Sequence, residues 1–195
     1  MGKKTLVLGG IRSGKSEYAE SCLMDADHVV YMAAAQIFDA EMQERVARHR
    51  ARRNRLWETI EEPFDLVGAL RAVPQKTILL ESVGTWISNM LLRYPYDEPV
   101  QSPDQRKTIE ADIMREIGRL CNAIQNHSGQ IYMVSEEVGL SMVSTHPLGR
   151  LFEDVLGTAN QMLAMRCDDV VLVVAGYPLV IKSAGAHKEQ KEGNT

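Results

Sequence analysis

Residues Gly9-Gly10-Ile11-Arg12-Ser13-Gly14-Lys15-Ser16 carry the spacing G-x-x-x-x-G-K-[ST]. The chemistry open to that spacing is the cradling of a nucleoside triphosphate. Glycines let the backbone approach phosphate oxygens closely. Successive N–H groups turn inward around the anion, and a following helix adds the positive end of its dipole. Lys15 is expected to bridge the β- and γ-phosphates, and the Ser16 hydroxyl to hold Mg²⁺. A merely structural Gly-rich turn is the bland alternative. Against it, an apolar strand pattern precedes the loop and a helical pattern follows. Such loops work with an acidic residue at the end of a neighbouring strand, beside the metal. Glu81, closing the apolar run Ile78-Leu79-Leu80, is the candidate. A carboxylate capping the next helix is the other reading of it.

A second chemical feature is the stretch DAEMQERVARHRARRNR, Asp39–Arg55. On a helix, Met42, Arg45, Val46, His49, Arg52 and Arg53 share one broad face. Three readings compete. One is a solvated basic face with a histidine at the edge of the core. Another is a nucleic-acid patch, poorly matched to the chain's acidic total. The third is phosphate handling. Arginine clusters bind phosphate oxygens by paired hydrogen bonds. A neutral imidazole is a competent nucleophile toward phosphorus, and surrounding guanidinium groups disfavour its protonation. Those groups also stabilise charge developing on an α-phosphate and a departing pyrophosphate. The other histidines lack such surroundings: His28 starts a strand, His127 and His146 fall in turns, and His187 lies in the tail.

The elements that must position these residues are legible. Thr5–Gly9, His28–Ala34, Thr77–Glu81, Gln130–Ser135 and Asp169–Ala175 are near-continuously apolar, the signature of strands buried on both faces of a parallel sheet. Leu179–Lys182 is a short last strand turning back. Helical patterns fall at Lys15–Met24, Asp39–Arg53, Phe64–Ala72, Val83–Leu92, from Pro103 to about Gln125, and Leu148–Arg166. Ser102-Pro103-Asp104-Gln105 is a helix start. The order predicts a three-layer α/β, P-loop NTPase-like domain with a mostly parallel sheet, occupying residues 1–182. Tyr94–Val100 is expected to be a surface loop, and residues 183–195 a disordered tail.

The totals agree with that reading. A chain of 195 residues with 45% hydrophobic and 25% charged residues suits one soluble domain. A net charge of -4 argues against a general nucleic-acid binder. Cys22, Cys121 and Cys167 form no CxxC pair, so buried free thiols are expected rather than a disulfide frame or zinc site. The chain shows no secretory h-region and no apolar run of the ~20 residues that span a bilayer. A cytoplasmic location is expected. Trp57 and Trp86 read as core or interface aromatics, and Asn160 either caps a helix or faces the substrate cleft.

From Thr5 to Lys182 the sequence resembles the bifunctional cobinamide kinase/cobinamide-phosphate guanylyltransferase (CobU/CobP) family. The blocks that carry the resemblance are GGIRSGKSEYAE, YMAAAQIFDAEMQERVARHRARR, WETIEEP, ILLESVGTWISNML and VSEEVGLSMVSTHPLGRLFEDVLGTANQMLA. The resemblance implies two reactions in one domain. ATP or GTP phosphorylates the aminopropanol hydroxyl of adenosylcobinamide. GTP then forms a histidine-bound GMP, which passes to adenosylcobinamide phosphate to give adenosylcobinamide-GDP. It assigns guanylylation to His49, and nucleotide contacts to Ala33, Ala34, Ala35, Arg50, Ala51, Arg52, Arg53, Glu61 and Glu81. It also implies a homo-oligomer, in relatives a trimer. The chain departs from the family pattern at Ala34-Ala35, at Ser135-Glu136-Glu137, where relatives carry Asn in the middle, and at Ser144-Thr145-His146-Pro147. Two other functions fit the loop alone: a small-molecule kinase without guanylyl transfer, and a nucleotide-gated partner-binding protein.

Overall fold

Strands that are apolar on both faces need cover on both faces, and the chain supplies it. The computed structural model describes residues 2–36, 40–52, 54–94 and 103–184, with the side chains of Glu41, Met42, Arg45, His49, Arg52 and Pro103 outside the description. In chain order the elements are β1 (Lys4–Gly9), α1 (Lys15–Ser21), β2 (Val29–Ala33), α2 (Ala40–Arg52), β3 (Glu58–Glu61), α3 (Leu66–Ala72), β4 (Thr77–Glu81) and α4 (Val83–Leu91). They continue with α5 (Pro103–Asn126), β5 (Ile131–Glu136), α6 (Pro147–Arg166), β6 (Asp169–Val174) and β7 (Tyr177–Lys182). One sheet runs β3-β2-β4-β5-β1-β6-β7, parallel throughout except for the antiparallel β6–β7 hairpin.

Alternate residues of each strand enter different cores, as a pleat of period two requires. Leu6, Met32, Leu80 and Met133 pack with helices α3, α4, α5 and α6. Their neighbours Val7, Tyr31, Leu79 and Val134 pack with Ala19 of α1, Leu23 and Trp57 on the other face. The layers are therefore helix, sheet, helix. No helix among the described residues is long and apolar enough to cross a membrane.

Several details differ from the sequence reading. β3 was not expected: its residues ETIE are mostly exposed, so the apolar signal of a buried strand is absent. α1 stops at Ser21, with Cys22 at its C-cap, short of the expected Met24. Cys22 is exposed there, whereas Cys121 and Cys167 are buried as expected. His28 precedes β2 with a positive φ of 56° instead of opening the strand. The loop expected beyond Tyr94 and the tail from residue 185 fall outside the described residues.

Two buried polar contacts join helices to strand ends. Trp86 Nε1 donates to the Phe64 carbonyl at 2.8 Å. Asn89 Nδ2 donates to the carbonyls of Ala34 at 2.7 Å and Pro63 at 3.1 Å, tying α4 to the segment that follows β2. Removing one partner of a buried pair strands the other without water. Asn89→Ala is therefore expected to lower unfolding stability by about 1–3 kcal/mol in a denaturant titration.

Candidate functional site

The phosphate-loop motif sits at the carboxyl end of β1, where ligand crevices of parallel sheets open. Its shape needs left-handed backbone at two positions: Arg12 has φ 57° and Gly14 φ 91°. Ser13 N–H donates to Gly10 O at 3.2 Å, and Tyr18 N–H to Gly14 O at 2.9 Å, closing the turn into α1. Gly176 N–H, in the β6–β7 turn, donates to Ser13 O at 2.7 Å and anchors the loop from the side. A Cβ on Gly9 would lie 2.8 Å from Val173 O, so the strand end admits only glycine without a shift. Ile11 is 82% exposed at the loop tip.

Around the loop the sheet register gathers acids. Ser16 Oγ donates to Glu81 Oε1 at the end of β4. Ser82, not Glu81, caps α4, accepting from Thr85 N–H at 3.1 Å, so the capping alternative for Glu81 does not hold. Burial pushes the Glu81 carboxyl up to about 7; the Ser16 hydrogen bond and Lys15 oppose the rise, and Glu20 adds to it. Lys15 Nζ lies 3.4 Å from Gly10 O and 3.8 Å from Glu136 Oε1. Glu136 ends β5, in register with Gly9.

The second set of expected residues lies toward the other edge of the sheet. Ala33 ends β2 in register with both Glu61 and Glu81. Ala34 is fully buried, and its N–H donates to Glu81 O at 2.9 Å; Ala35 is half-buried. Ala34 thus braces the site by its backbone, and its methyl packs in the core. Arg50 of α2 pairs with Glu61 of β3. Both groups are half-exposed, and such a pair adds little stability in water. They border a cleft of about 600 Å³ with Asn54, Arg55, Trp57 and Thr59. Ala51 is exposed on α2. The backbone of α2 carries residues 49 and 52, but the side chains of His49 and Arg52, and Arg53 as a whole, lie outside the described residues.

Sequence reasoning missed Ser82 and Asn89, which hold strand ends in place. A lone serine or asparagine next to a helix carries no distinctive signal. Trp57 is buried as expected but also walls the cleft. Asn160 is buried, accepts from Ser135 Oγ at 2.6 Å and donates to Glu136 O at 2.9 Å, and it also lines a second cleft of about 560 Å³.

Among the described residues no cluster of three His, Cys, Asp or Glu could hold a metal by itself. Ser16 and Glu81 together offer two oxygen donors, a set that suits Mg²⁺ only when phosphate oxygens complete the shell. A mostly parallel sheet between two helical layers, a phosphate loop after its first strand and an acid at the end of the next strand but one define an α/β nucleotide-binding protein of the P-loop type.

Comparison with known proteins narrows the class. A family profile described as cobinamide kinase / cobinamide phosphate guanyltransferase matches residues 5–181. The chain is 38% identical over 179 residues to the bifunctional adenosylcobalamin biosynthesis protein CobU of Escherichia coli, covering 91% of this chain and 98% of that protein. It is 36% identical over 182 residues to the protein CobP of Pseudomonas aeruginosa, covering 92% and 97%. Among solved structures, an ATPase from a type III secretion system aligns with a TM-score of 0.49 at 11% identity, over 88% of this chain and 51% of that one. The chain belongs to the cobinamide kinase / cobinamide phosphate guanyltransferase family, and is a bifunctional enzyme of adenosylcobalamin biosynthesis.

The raised Glu81 carboxyl has a consequence for stability. A carboxyl that binds its proton more tightly folded than unfolded favours the folded state at low pH. That advantage is lost as pH rises from the unfolded value of 4.5 through about 7. Glu81→Gln removes the penalty. The nucleotide-free variant is expected to be more stable than wild type at pH 8, by on the order of 3 kcal/mol, with the difference vanishing near pH 4. Denaturant titrations of both proteins across that range check it.

Proposed function

We propose that the phosphate loop is the kinase site and that His49 carries the guanylyl group. The observation that bears most weight is the Ser16–Glu81 contact beside Lys15. It supports a reading in which Ser16 and Glu81 hold Mg²⁺ and Lys15 meets the β- and γ-phosphates of ATP or GTP. The residues of 9–16 present backbone N–H groups to the same phosphates. Mg²⁺ bound there neutralises phosphate charge during transfer. The aminopropanol oxygen of adenosylcobinamide forms a bond to the γ-phosphorus, and the bond to the bridging oxygen breaks.

In the second reaction an imidazole nitrogen of His49 attacks the α-phosphorus of GTP and pyrophosphate leaves. A phosphate oxygen of adenosylcobinamide phosphate then displaces the imidazole, giving adenosylcobinamide-GDP. The ion-paired cleft between α2 and β3 supports this half. Arg50 and Glu61 flank it, and the family resemblance adds Ala33, Ala35, Ala51, Arg52 and Arg53 as nucleotide contacts, with buried Ala34 bracing the strand end by its backbone. Guanidinium groups suit phosphate oxygens, and a carboxylate suits the donor edge of guanine.

The reading extends to the assembly. We take residues 1–182 as one domain and 183–195 as a tail. Every residue of β7 from Tyr177 to Ile181 is exposed, including Leu179 at 57% and Val180 at 62%. An apolar surface of that kind fits contact with further copies, and the family resemblance points to a trimer. The free thiols fit a cytoplasmic setting.

Incubation with GTP labelled at the α-phosphate tests the transferase half. Wild type is expected to retain label as a covalent, acid-labile adduct, and His49→Ala to retain none. An unlabelled wild-type protein would contradict the histidine-GMP step. In the kinase assay, Lys15→Ala is expected to lower kcat by roughly 10²–10³-fold.

A further inference from the structure

A kinase has to hold its acceptor as well as its triphosphate, with the accepting oxygen close to the γ-phosphorus. The second cleft, of about 560 Å³, lies on the α6 face of the sheet. Leu8, immediately before Gly9, is part of its wall. So is Glu137, whose N–H donates to Gly9 O at 3.1 Å. One end of the cleft therefore meets the phosphate loop. From there it follows α6, where Asp154, Gly157, Gln161 and Ala164 recur every three or four residues on one helix face. Val138, Val143, Val170 and Ile181 give it apolar walls.

The loop at its mouth is tied at both ends. Glu137 accepts from Gly139 N–H at 3.0 Å and Leu140 N–H at 2.9 Å. Ser144 N–H donates to Glu153 Oε2 at 3.1 Å, and Arg150 Nη1 donates to the carbonyls of Ser144 and Thr145 at 3.1 and 2.8 Å. Between these ties Leu140, Met142 and Val143 are 81%, 92% and 74% exposed. Large apolar side chains held in water beside a cleft form an edge for an apolar ligand. Gly157 is the second sign. It stands inside α6, where glycine weakens a helix. A Cβ there would meet no atom within 4 Å, so packing within the chain does not call for glycine. The missing side chain leaves room in the cleft.

Charge sorts the possible occupants. Arg106 is paired with Asp154 at 2.5 Å, and Arg150 is engaged by the two loop carbonyls. Glu137 and Glu153 add carboxylates to the wall. A triphosphate finds no uncommitted guanidinium among these residues, whereas a neutral or cationic ligand meets no like charge. Gln161 and the carboxylates suit ligand amides, which both donate and accept. We infer that the cleft along α6 is the acceptor site, holding the apolar, amide-rimmed corrin ring of adenosylcobinamide while its aminopropanol arm reaches past Leu8 and Glu137 to the phosphate loop. This rests on the loop being the kinase site, as proposed above. The polar cleft beside Arg50 and Glu61 and the apolar cleft along α6 then serve different substrates.

Equilibrium dialysis of adenosylcobinamide, read at the corrin absorbance with a non-hydrolysable GTP analogue present, measures acceptor binding without turnover. Gly157→Leu puts a side chain into the cleft and is expected to raise the adenosylcobinamide dissociation constant by about tenfold or more. Val143→Asp, on the exposed loop, removes part of the apolar edge and is expected to raise it by roughly tenfold. In both variants the dissociation constant of the GTP analogue is expected to stay within about twofold of wild type, with the assembly mass by light scattering unchanged. Gly157→Ala is expected to raise Tm by roughly 1–3 °C, as an open helical glycine allows. Wild-type adenosylcobinamide affinity in Gly157→Leu and Val143→Asp would overturn the inference. So would a loss that comes with lost nucleotide affinity, or with a changed assembly mass, which would assign the loop to contact between copies. Wild type that binds adenosylcobinamide in this cleft but does not phosphorylate it would instead overturn the kinase site.

Discussion

The register of the parallel sheet is the constraint on which the site depends. β1 pairs with β5 so that Gly9 stands beside Glu136. β5 pairs with β4 so that Glu81 stands beside Val134. β4 and β3 flank β2, setting Glu81 and Glu61 on either side of Ala33. A slip of one residue in any pair would exchange the two faces of a strand. Leu80 and Leu79, both fully buried, would then trade cores. Burial of these alternating apolar residues on two faces therefore sets the positions of the chemical groups at the strand ends.

Those groups are unbalanced until a ligand arrives. The loop is built for anions, yet carboxylates crowd its mouth. Glu81 responds by holding its proton to about pH 7. Glu136 responds by sharing Lys15 with the Gly10 carbonyl and by taking the Ser82 hydrogen bond. A bare triphosphate would add negative charge to this setting. A triphosphate carrying a divalent cation brings positive charge to Glu81 and phosphate oxygens to Lys15. The same arrangement thus favours the metal–nucleotide complex over either component.

Much of this was legible in the sequence because the signals were local. The phosphate loop is a fixed spacing, and the buried strands are apolar runs. Glu81 ends such a run, and Glu136 stood out as a carboxylate where relatives carry Asn. What stayed hidden depended on long-range contact. β3 is an exposed strand whose residues ETIE carry no apolar pattern. The Arg50–Glu61 pair needs β3 to exist before it can be seen. Ser82 and Asn89 act by hydrogen bonds to residues of other elements. Arg12 stands in the left-handed region, in a turn whose Ser13 carbonyl is anchored by Gly176, far along the chain.

The central claim is that one register-built row of strand ends receives a metal–triphosphate. A crystal structure with Mg²⁺ and a non-hydrolysable GTP analogue tests it most directly. The account expects the metal between Ser16 Oγ, Glu81 and phosphate oxygens, with Lys15 Nζ moved from Glu136 onto the β- and γ-phosphates. A triphosphate bound away from the 9–16 loop, or a metal that contacts neither Ser16 nor Glu81, would contradict it.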